Sequence, residues 1–115
     1  MKKIVLVFLM LLPTFAWADP NPADYTINVH VSSSRMDIDY EGKVTLFYRK
    51  LDVTIDGKKF ELEADRSGGP ILALGDYKAR LVQDEHKSSY EFWQTYEFLF
   101  PDKKTAKFRV VGLTE

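Results

Sequence analysis

The chain of 115 residues contains no cysteine, only two histidines, and no run of more than two basic residues. Without cysteine it can form no disulfide, which also excludes zinc ribbons, thiol redox chemistry, cysteine nucleophiles and lipid attachment through a cysteine. Charge of either sign is not in excess, since 16 basic residues face 17 acidic ones. Nucleic acids and anionic membranes favour strongly basic surfaces, so neither is the expected partner.

The N-terminus has the features of a secretory leader. Two lysines precede an uninterrupted apolar run from Ile4 to Leu12, and Ala16–Ala18 has the small-x-small pattern that signal peptidase recognises. The apolar run is too short to span a bilayer. We therefore expect a signal peptide of residues 1–18, cleaved after Ala18. The mature protein is then secreted or periplasmic and keeps no membrane anchor.

Cleavage of 18 residues from 115 leaves 97, which is enough for one domain and too few for two. The polar segment 19–24 contains two prolines and is expected to be a flexible lead. Residues 25–115 then form the folded domain. Its six Phe, six Tyr and single Trp provide the apolar surface for a core that has no disulfide to support it.

Alternation of apolar and polar residues dominates this domain and predicts β-strands, while no segment has a helical period. The first strand, Tyr25–Val31, is followed by a polar break at Ser32–Arg35. Asp56-Gly57 predicts a two-residue hairpin turn, which places Asp52 opposite Glu61. In the last hairpin, matching of the apolar faces requires a loop of three or five residues around Pro101–Lys104.

Two further predictions depend on strand register. The first hairpin is expected to have a three-residue loop, Glu41–Lys43, because this loop places its apolar residues on one face. Up to Tyr48 the apolar residues have even numbers, and from Leu51 onward they have odd numbers. A continuous strand cannot bury both sets on one side, so a bulge or bend is predicted near Arg49–Lys50.

About seven short strands separated by turns predict an all-β, antiparallel sandwich of immunoglobulin-like kind. A small closed barrel is the alternative.

The segment Leu72–Leu81 resembles the Leu-x-x-Gly-x-Tyr pattern of many bacterial extracellular immunoglobulin-like or prealbumin-like domains, with Leu72, Gly75 and Tyr77 at the motif positions. The resemblance implies that Gly75 makes a corner and that Tyr77 begins an inward-facing strand. The mature chain also resembles small secreted bacterial β-sandwich proteins of unknown function. These resemblances imply a fold and export, and they carry no activity and no site residues.

An acidic segment, Asp37–Gly42, has the spacing with which a calcium loop begins. Its twelfth position, where a calcium loop needs a bidentate glutamate, is Tyr48, and the sequence after Gly42 predicts a strand. We therefore interpret Asp37, Asp39 and Glu41 as the solvated face of an edge strand. Calcium binding at this cluster is the alternative.

His30 lies on the polar face of the first strand and His86 in the polar segment 84–89. No spacing brings them together as metal ligands, and no pattern supplies a serine nucleophile with its oxyanion donors. A chain of this length also leaves little material for a catalytic cleft. We expect no catalytic residue, no metal and no cofactor, with a small secreted hydrolase or metal-dependent enzyme as the alternative.

Trp93 is the most specific candidate for binding. On its strand it lies opposite the face that carries the aromatic residues, so it is expected to point to solvent, where an indole stacks on a sugar or anchors a protein. The predicted binding residues on this face are Trp93, Glu91, Thr95, Lys107 and Arg109. We therefore predict a non-catalytic exported binding or accessory module that recognises a protein or glycan. A secreted inhibitor or structural protein is a further alternative.

Overall fold

The computed structural model describes residues 19–115, and the predicted signal peptide lies outside the described residues. The elements are a 3-10 turn at Pro22–Asp24 and the strands β1 (Ile27–Glu41), β2 (Val44–Ile55), β3 (Lys58–Ala64), β4 (Gly75–Ser88), β5 (Glu91–Leu99) and β6 (Thr105–Thr114). All strand pairs are antiparallel, so the all-β antiparallel fold class is confirmed. Within residues 19–115, no helix has the length and apolar character needed to cross a membrane.

The six strands form one sheet in the order β1-β2-β3-β6-β5-β4, and β4 pairs with β1 to close it. Inward-facing positions alternate with outward-facing ones along each strand. The buried core inside the ring consists of Val29, Val31, Leu51, Val53, Ile55, Leu62, Ala64, Ala79, Tyr96, Phe98 and Phe108.

The β2–β3 hairpin has the predicted two-residue turn and register. Asp56 and Gly57 have φ angles of 52° and 77°, as a type I′ turn requires. Asp52 lies opposite Glu61 as predicted, and Arg35 of β1 bridges the two carboxylates at 3.1 and 2.8 Å. The guanidinium therefore offsets the repulsion between the like charges.

The polar break predicted at Ser32–Arg35 is wrong, because β1 continues through it. The pairing of β1 with β2 shifts between Val31 and Ser33, which leaves Ser32 as a bulge. The Ser32 hydroxyl donates a hydrogen bond to the carbonyl oxygen of Asp52 at 3.1 Å. Two predicted strands thus become one, and the sheet has six strands instead of about seven.

The three-residue loop predicted for the first hairpin is also wrong. Glu41 lies opposite Val44, which leaves Gly42 and Lys43 as a two-residue turn. The φ angle of Gly42 is 64°, and glycine is the residue preferred at the first position of a type II′ turn.

This one-residue difference changes which side chains share a face. The even-numbered residues from Val44 to Tyr48 lie on the opposite face of β2 from Leu51, and β2 runs without a shift in register. Of the bulge or bend predicted near Arg49–Lys50, the bulge is therefore not present in β2. The two sets therefore lie on different faces of β2, and only the odd-numbered residues Leu51, Val53 and Ile55 belong to the buried core.

The β5–β6 loop has five residues, since Leu99 lies opposite Thr105, in agreement with the prediction. On β4, Gly75 has a φ angle of 138° at the first position of the strand. Tyr77 packs against the rings of Phe98 and Phe100. Tyr77 therefore faces the core close to the start of β4.

Candidate functional site

Trp93 lies on β5 with its side chain 56% exposed. Its neighbours Phe92 and Gln94 point to the opposite face of the strand, as alternation requires. An exposed indole offers a flat apolar surface with one hydrogen-bond donor, which suits it to anchoring a ligand.

A cleft opens beside Trp93 because β5 and β6 diverge. Their pairing runs from Leu99 to Thr95 on β5 and ends where Thr95 lies opposite Arg109. Beyond this point β5 pairs only with β4, and β6 pairs only with β3. The space between them, about 540 Å³, is lined by Phe92, Trp93, Arg109, Val110 and Val111. We refer to it as the Trp93 cleft.

A bulge in β6 contributes to this divergence. Glu61 of β3 lies opposite Gly112 and Leu62 lies opposite Val110, which leaves Val111 without a partner in the register. A Cβ atom at Gly112 would lie 3.3 Å from the Glu61 Cβ, so glycine allows the close approach of the two strands here. The Val111 side chain is 42% exposed and adds apolar surface to the cleft.

The inner side of the same divergence is also apolar. Phe92 lines a second cavity of about 510 Å³, together with Phe60 of β3, His86 of β4 and the exposed Leu113 of β6. Apolar side chains are thus exposed on both faces of the diverging strands.

Two of the predicted neighbours of Trp93 lie at the cleft. Arg109 lines it, and its Nη2 atom donates a hydrogen bond to Glu63 Oε1 at 2.7 Å. Thr95 lies opposite Arg109 at the closed end of the cleft. The carboxylate of Glu63 thus positions the Arg109 guanidinium and neutralises much of its charge.

Glu91 and Lys107 do not share the cleft. Glu91 lies at the far end of β5, opposite Ser88, and Lys107 lies opposite Glu97 beside a different cavity. Neither Lys107 nor Arg109 stacks on Trp93. The cation–π contacts within residues 19–115 are those of Arg49 with Phe108 and of Arg80 with Tyr25. The structure therefore groups Trp93 with Arg109 and Thr95, and separates it from the other two predicted residues.

Sequence reasoning missed the β6 side of the cleft. The consecutive apolar residues Val110 and Val111, followed by Gly112, interrupt the alternation of β6. Such an interruption with a glycine is the signal of a bulge, and it could have placed Val111 beside the cleft.

Glu97 lies on the same face as Trp93 and is nevertheless buried, with 8% of the residue exposed. Its Oε1 atom accepts hydrogen bonds from the Tyr25 hydroxyl and from Arg80 Nε, both at 2.7 Å. Burial raises the pKa of Glu97, but these two hydrogen bonds and the charges of Arg80 and Lys107 together hold it below its ordinary value. The residue joins Tyr25, which follows the 3-10 turn, to the outer face of β4 and β5.

The two histidines are each paired with an aspartate. His30 Nδ1 lies 2.8 Å from Asp76 Oδ1, and His86 Nε2 lies 2.9 Å from Asp84 Oδ1. Asp76 and His86 are ten positions apart on β4, or about 30 Å of extended strand. The prediction of a loop at His86 is wrong, since β4 continues to Ser88.

The acidic segment belongs to strand β1 and forms no loop. Asp37, Asp39 and Glu41 are exposed at alternate positions of the strand, and Asp37 pairs with Lys50 at 2.9 Å. An extended strand spaces such carboxylates by about 7 Å, which is too far for them to enclose one cation. Within residues 19–115, no group of three or more His, Asp or Glu side chains could hold a metal ion.

Comparison with known proteins identifies no family for this chain. No family model matches it, and neither a curated protein nor a solved structure is significantly similar to it. The function must therefore be inferred from the geometry of the described residues.

Proposed function

We propose that the protein is a non-catalytic exported binding module that holds an extended segment of a partner protein in the Trp93 cleft. The observation that carries this proposal is the divergence of β5 and β6 beside two exposed apolar side chains, Trp93 and Val111. Within the described chain, β5 has no strand partner on this edge from Glu91 to Gln94. An extended peptide can pair with such an edge and place alternate side chains against the cleft.

The lining of the cleft favours a protein segment over a sugar. Its residues are apolar apart from Arg109, and that guanidinium already donates to Glu63. The polar groups that would have to meet sugar hydroxyls, Glu91 and Lys107, lie elsewhere. Stacking of a glycan on Trp93 is the second candidate, supported by the exposure of the indole.

The partners of the two histidines, which are the side chains best suited to act as a general base, support a non-catalytic role. His30 is hydrogen-bonded to Asp76 and His86 lies 2.9 Å from Asp84, and neither has a serine among its hydrogen-bond partners in residues 19–115. A serine nucleophile requires a histidine within hydrogen-bond reach and donors for the oxyanion.

Replacement of Trp93 tests the proposal. We expect heptapeptides selected from a displayed library on the exported protein to have alternating apolar residues. Trp93→Ala should weaken their binding at least tenfold, because the indole provides the largest apolar contact. The matched control is Tyr90→Ala, which removes an aromatic side chain that is 82% exposed at the β4–β5 turn, and it should leave binding unchanged. Affinities are measured by titration calorimetry.

Two measurements can contradict this proposal. N-methylation should abolish binding when it removes the peptide N–H groups that point toward β5, and it should be tolerated at the alternate positions. Peptides that still bind when either set of nitrogens is methylated would exclude pairing with a strand edge. A glycan array read with the wild type and Trp93→Ala provides the second measurement. Binding to a sugar that depends on Trp93, with no peptide selected, would assign the cleft to a glycan.

Export is part of the same proposal and has its own test. When the chain is expressed with its own leader, N-terminal sequencing of the exported protein should begin at Asp19. Ala18→Arg should block processing, because signal peptidase accepts only a small residue before the cleaved bond. An unprocessed wild-type chain that starts at Met1 and stays in the cytoplasm would contradict export.

A further inference from the structure

Arg49 of β2 lies at the end of the ring opposite the Trp93 cleft, where the β3–β4 loop packs against β2. Its guanidinium carbon is 5.3 Å from the centroid of the Phe108 ring. On the other side, a Cβ atom at Gly69 would lie 3.3 Å from both Cζ and Nε of Arg49, so the loop backbone packs closely against the guanidinium. The loop is tied to β2 by a hydrogen bond from the Gly68 amide to the Phe47 carbonyl at 2.6 Å.

This guanidinium lacks an anionic partner. Arg49 takes part in none of the ion pairs among residues 19–115, and its buried Nε atom donates no hydrogen bond there. By contrast, Arg35, Arg80 and Arg109 each lie within 3.1 Å of a carboxylate oxygen. Burial lowers the pKa of Arg49, yet a guanidinium stays charged at every physiological pH. A partly buried cation without a partner is costly, and an anion from outside would compensate it.

Two adjoining cavities meet at Arg49 and share Thr105 and Ala106. The smaller one, about 350 Å³, is polar, and its other lining residues are Asp65, Arg66, Glu97 and Lys107. Its three cations, Arg49, Arg66 and Lys107, outnumber its two anions, and Glu97 is already bound by Tyr25 and Arg80.

The larger cavity, about 610 Å³, is mainly apolar. Its side chains include Ile71, Leu72, Tyr77 and Phe100, and Ile71 is exposed to solvent. A volume of this size is typical of small-molecule sites. Arg49 thus separates a cationic compartment from an apolar one.

We propose that this mouth of the barrel binds a medium-chain fatty acid, with its carboxylate on Arg49 and its hydrocarbon chain against Ile71, Leu72 and Phe100. A guanidinium binds a carboxylate through two parallel hydrogen bonds, and the two Nη atoms of Arg49, which make no hydrogen bond within residues 19–115, can donate them. The apolar compartment removes the hydrocarbon chain from water. This site is independent of the Trp93 cleft.

Titration calorimetry on the exported protein tests the site with four small molecules. We expect saturable binding of octanoate, and binding of decanoate about tenfold tighter because each added methylene buries more apolar surface. Octan-1-ol lacks the carboxylate and acetate lacks the chain, so each should bind at least tenfold more weakly than octanoate. Octanol binding as tightly as octanoate would overturn the proposal, as would the absence of saturable octanoate binding.

Variants then assign the binding to Arg49. Arg49→Met should weaken octanoate binding at least tenfold. Arg49→Lys should weaken it less, because lysine keeps the positive charge and lacks only the forked pair of hydrogen-bond donors. Lys87→Met removes one positive charge from an exposed position on β4 and should have no effect. Trp93→Ala should also bind octanoate normally, which separates this site from the proposed function. Unchanged binding by Arg49→Met, with circular dichroism confirming its fold, would overturn the assignment.

A peptide carboxylate is the competing source of the same chemistry. Acetyl-Leu-Leu and its C-terminal amide carry a similar apolar surface with and without the carboxylate. We expect the acid to bind more weakly than octanoate, because a branched dipeptide fits a hydrocarbon compartment less well. Tighter binding of acetyl-Leu-Leu than of octanoate would overturn the fatty-acid proposal.

Discussion

Replacement of Phe98 by alanine is expected to lower the free energy of unfolding by about 4 kcal/mol. Phe98 is fully buried inside the ring, and its centroid lies 4.8 Å from that of Phe108 and 6.0 Å from that of Tyr77. Truncation removes the transfer free energy of the ring and leaves a cavity among rigid neighbours. No disulfide limits the unfolded state of this chain, so packing must provide the stability.

Urea unfolding followed by circular dichroism measures this effect. The matched control is Tyr90→Ala, in which an exposed ring is lost and the change should stay within about 0.5 kcal/mol. If the alanine variant does not fold, Phe98→Leu should still fold and lose about 1 kcal/mol or more. Equal stabilities for the Phe98 and Tyr90 variants would show that Phe98 does not pack in the core.

The hairpins that sequence reasoning described correctly are those whose register is fixed locally. Asp56 and Gly57 can both adopt positive φ, so the turn itself sets the pairing of β2 with β3. In the β5–β6 hairpin, one face is buried, and burial allows only registers that match the two apolar faces. Both predictions needed only neighbouring residues in the chain.

The β1–β2 hairpin was mispredicted because burial does not define its faces. Beyond Arg35, β1 pairs only with β2, and apolar residues are exposed on both sides of the hairpin. Ile38 and Phe47 lie opposite each other and are 49% and 46% exposed, whereas Val44 is exposed on the other face. Alternation favoured the register that places the apolar residues on one face, but no burial enforces that register, and the turn at Gly42 decided the outcome.

The candidate sites differ in how far they could be predicted. The outward direction of Trp93 follows from its own strand, but the cleft requires β6 to leave β5 for β3, which is a long-range pairing. Arg49 gives no local signal at all. Its lack of a partner depends on the β3–β4 loop, where Gly69 packs against it, and on Phe108 of β6.

Replacement of Glu97 by glutamine is expected to lower the free energy of unfolding by about 2 kcal/mol at pH 7. The change removes the charge that accepts hydrogen bonds from Tyr25 and Arg80, each at 2.7 Å. The loss should stay below that of a fully buried ion pair, because the Arg80 side chain is half exposed and solvent screens it. Glu41→Gln, at an exposed position of the first hairpin, is the matched control and should change stability little.

The pH dependence of stability separates this role of Glu97 from simple packing. Burial raises the pKa of Glu97, but hydrogen bonding and the neighbouring positive charges together lower it below the ordinary 4.5. The unfolded chain then binds more protons than the folded chain in this range, so stability rises with pH. The contribution of Glu97 is complete above pH 4.5 and is lost as the pH falls through its lowered folded-state pKa.

Unfolding curves from pH 7 to pH 3 should therefore show a smaller loss of stability for Glu97→Gln than for the wild type. Some pH dependence should remain, because the hydrogen bond from Lys50 also lowers the pKa of Asp37. Tyr25→Phe keeps the ring and removes only its hydroxyl, so it should lose about 1 kcal/mol in the wild type and little in Glu97→Gln. Parallel pH profiles for the wild type and Glu97→Gln, or a Tyr25→Phe loss that does not depend on Glu97, would contradict an ionised Glu97 that holds Tyr25 to the sheet.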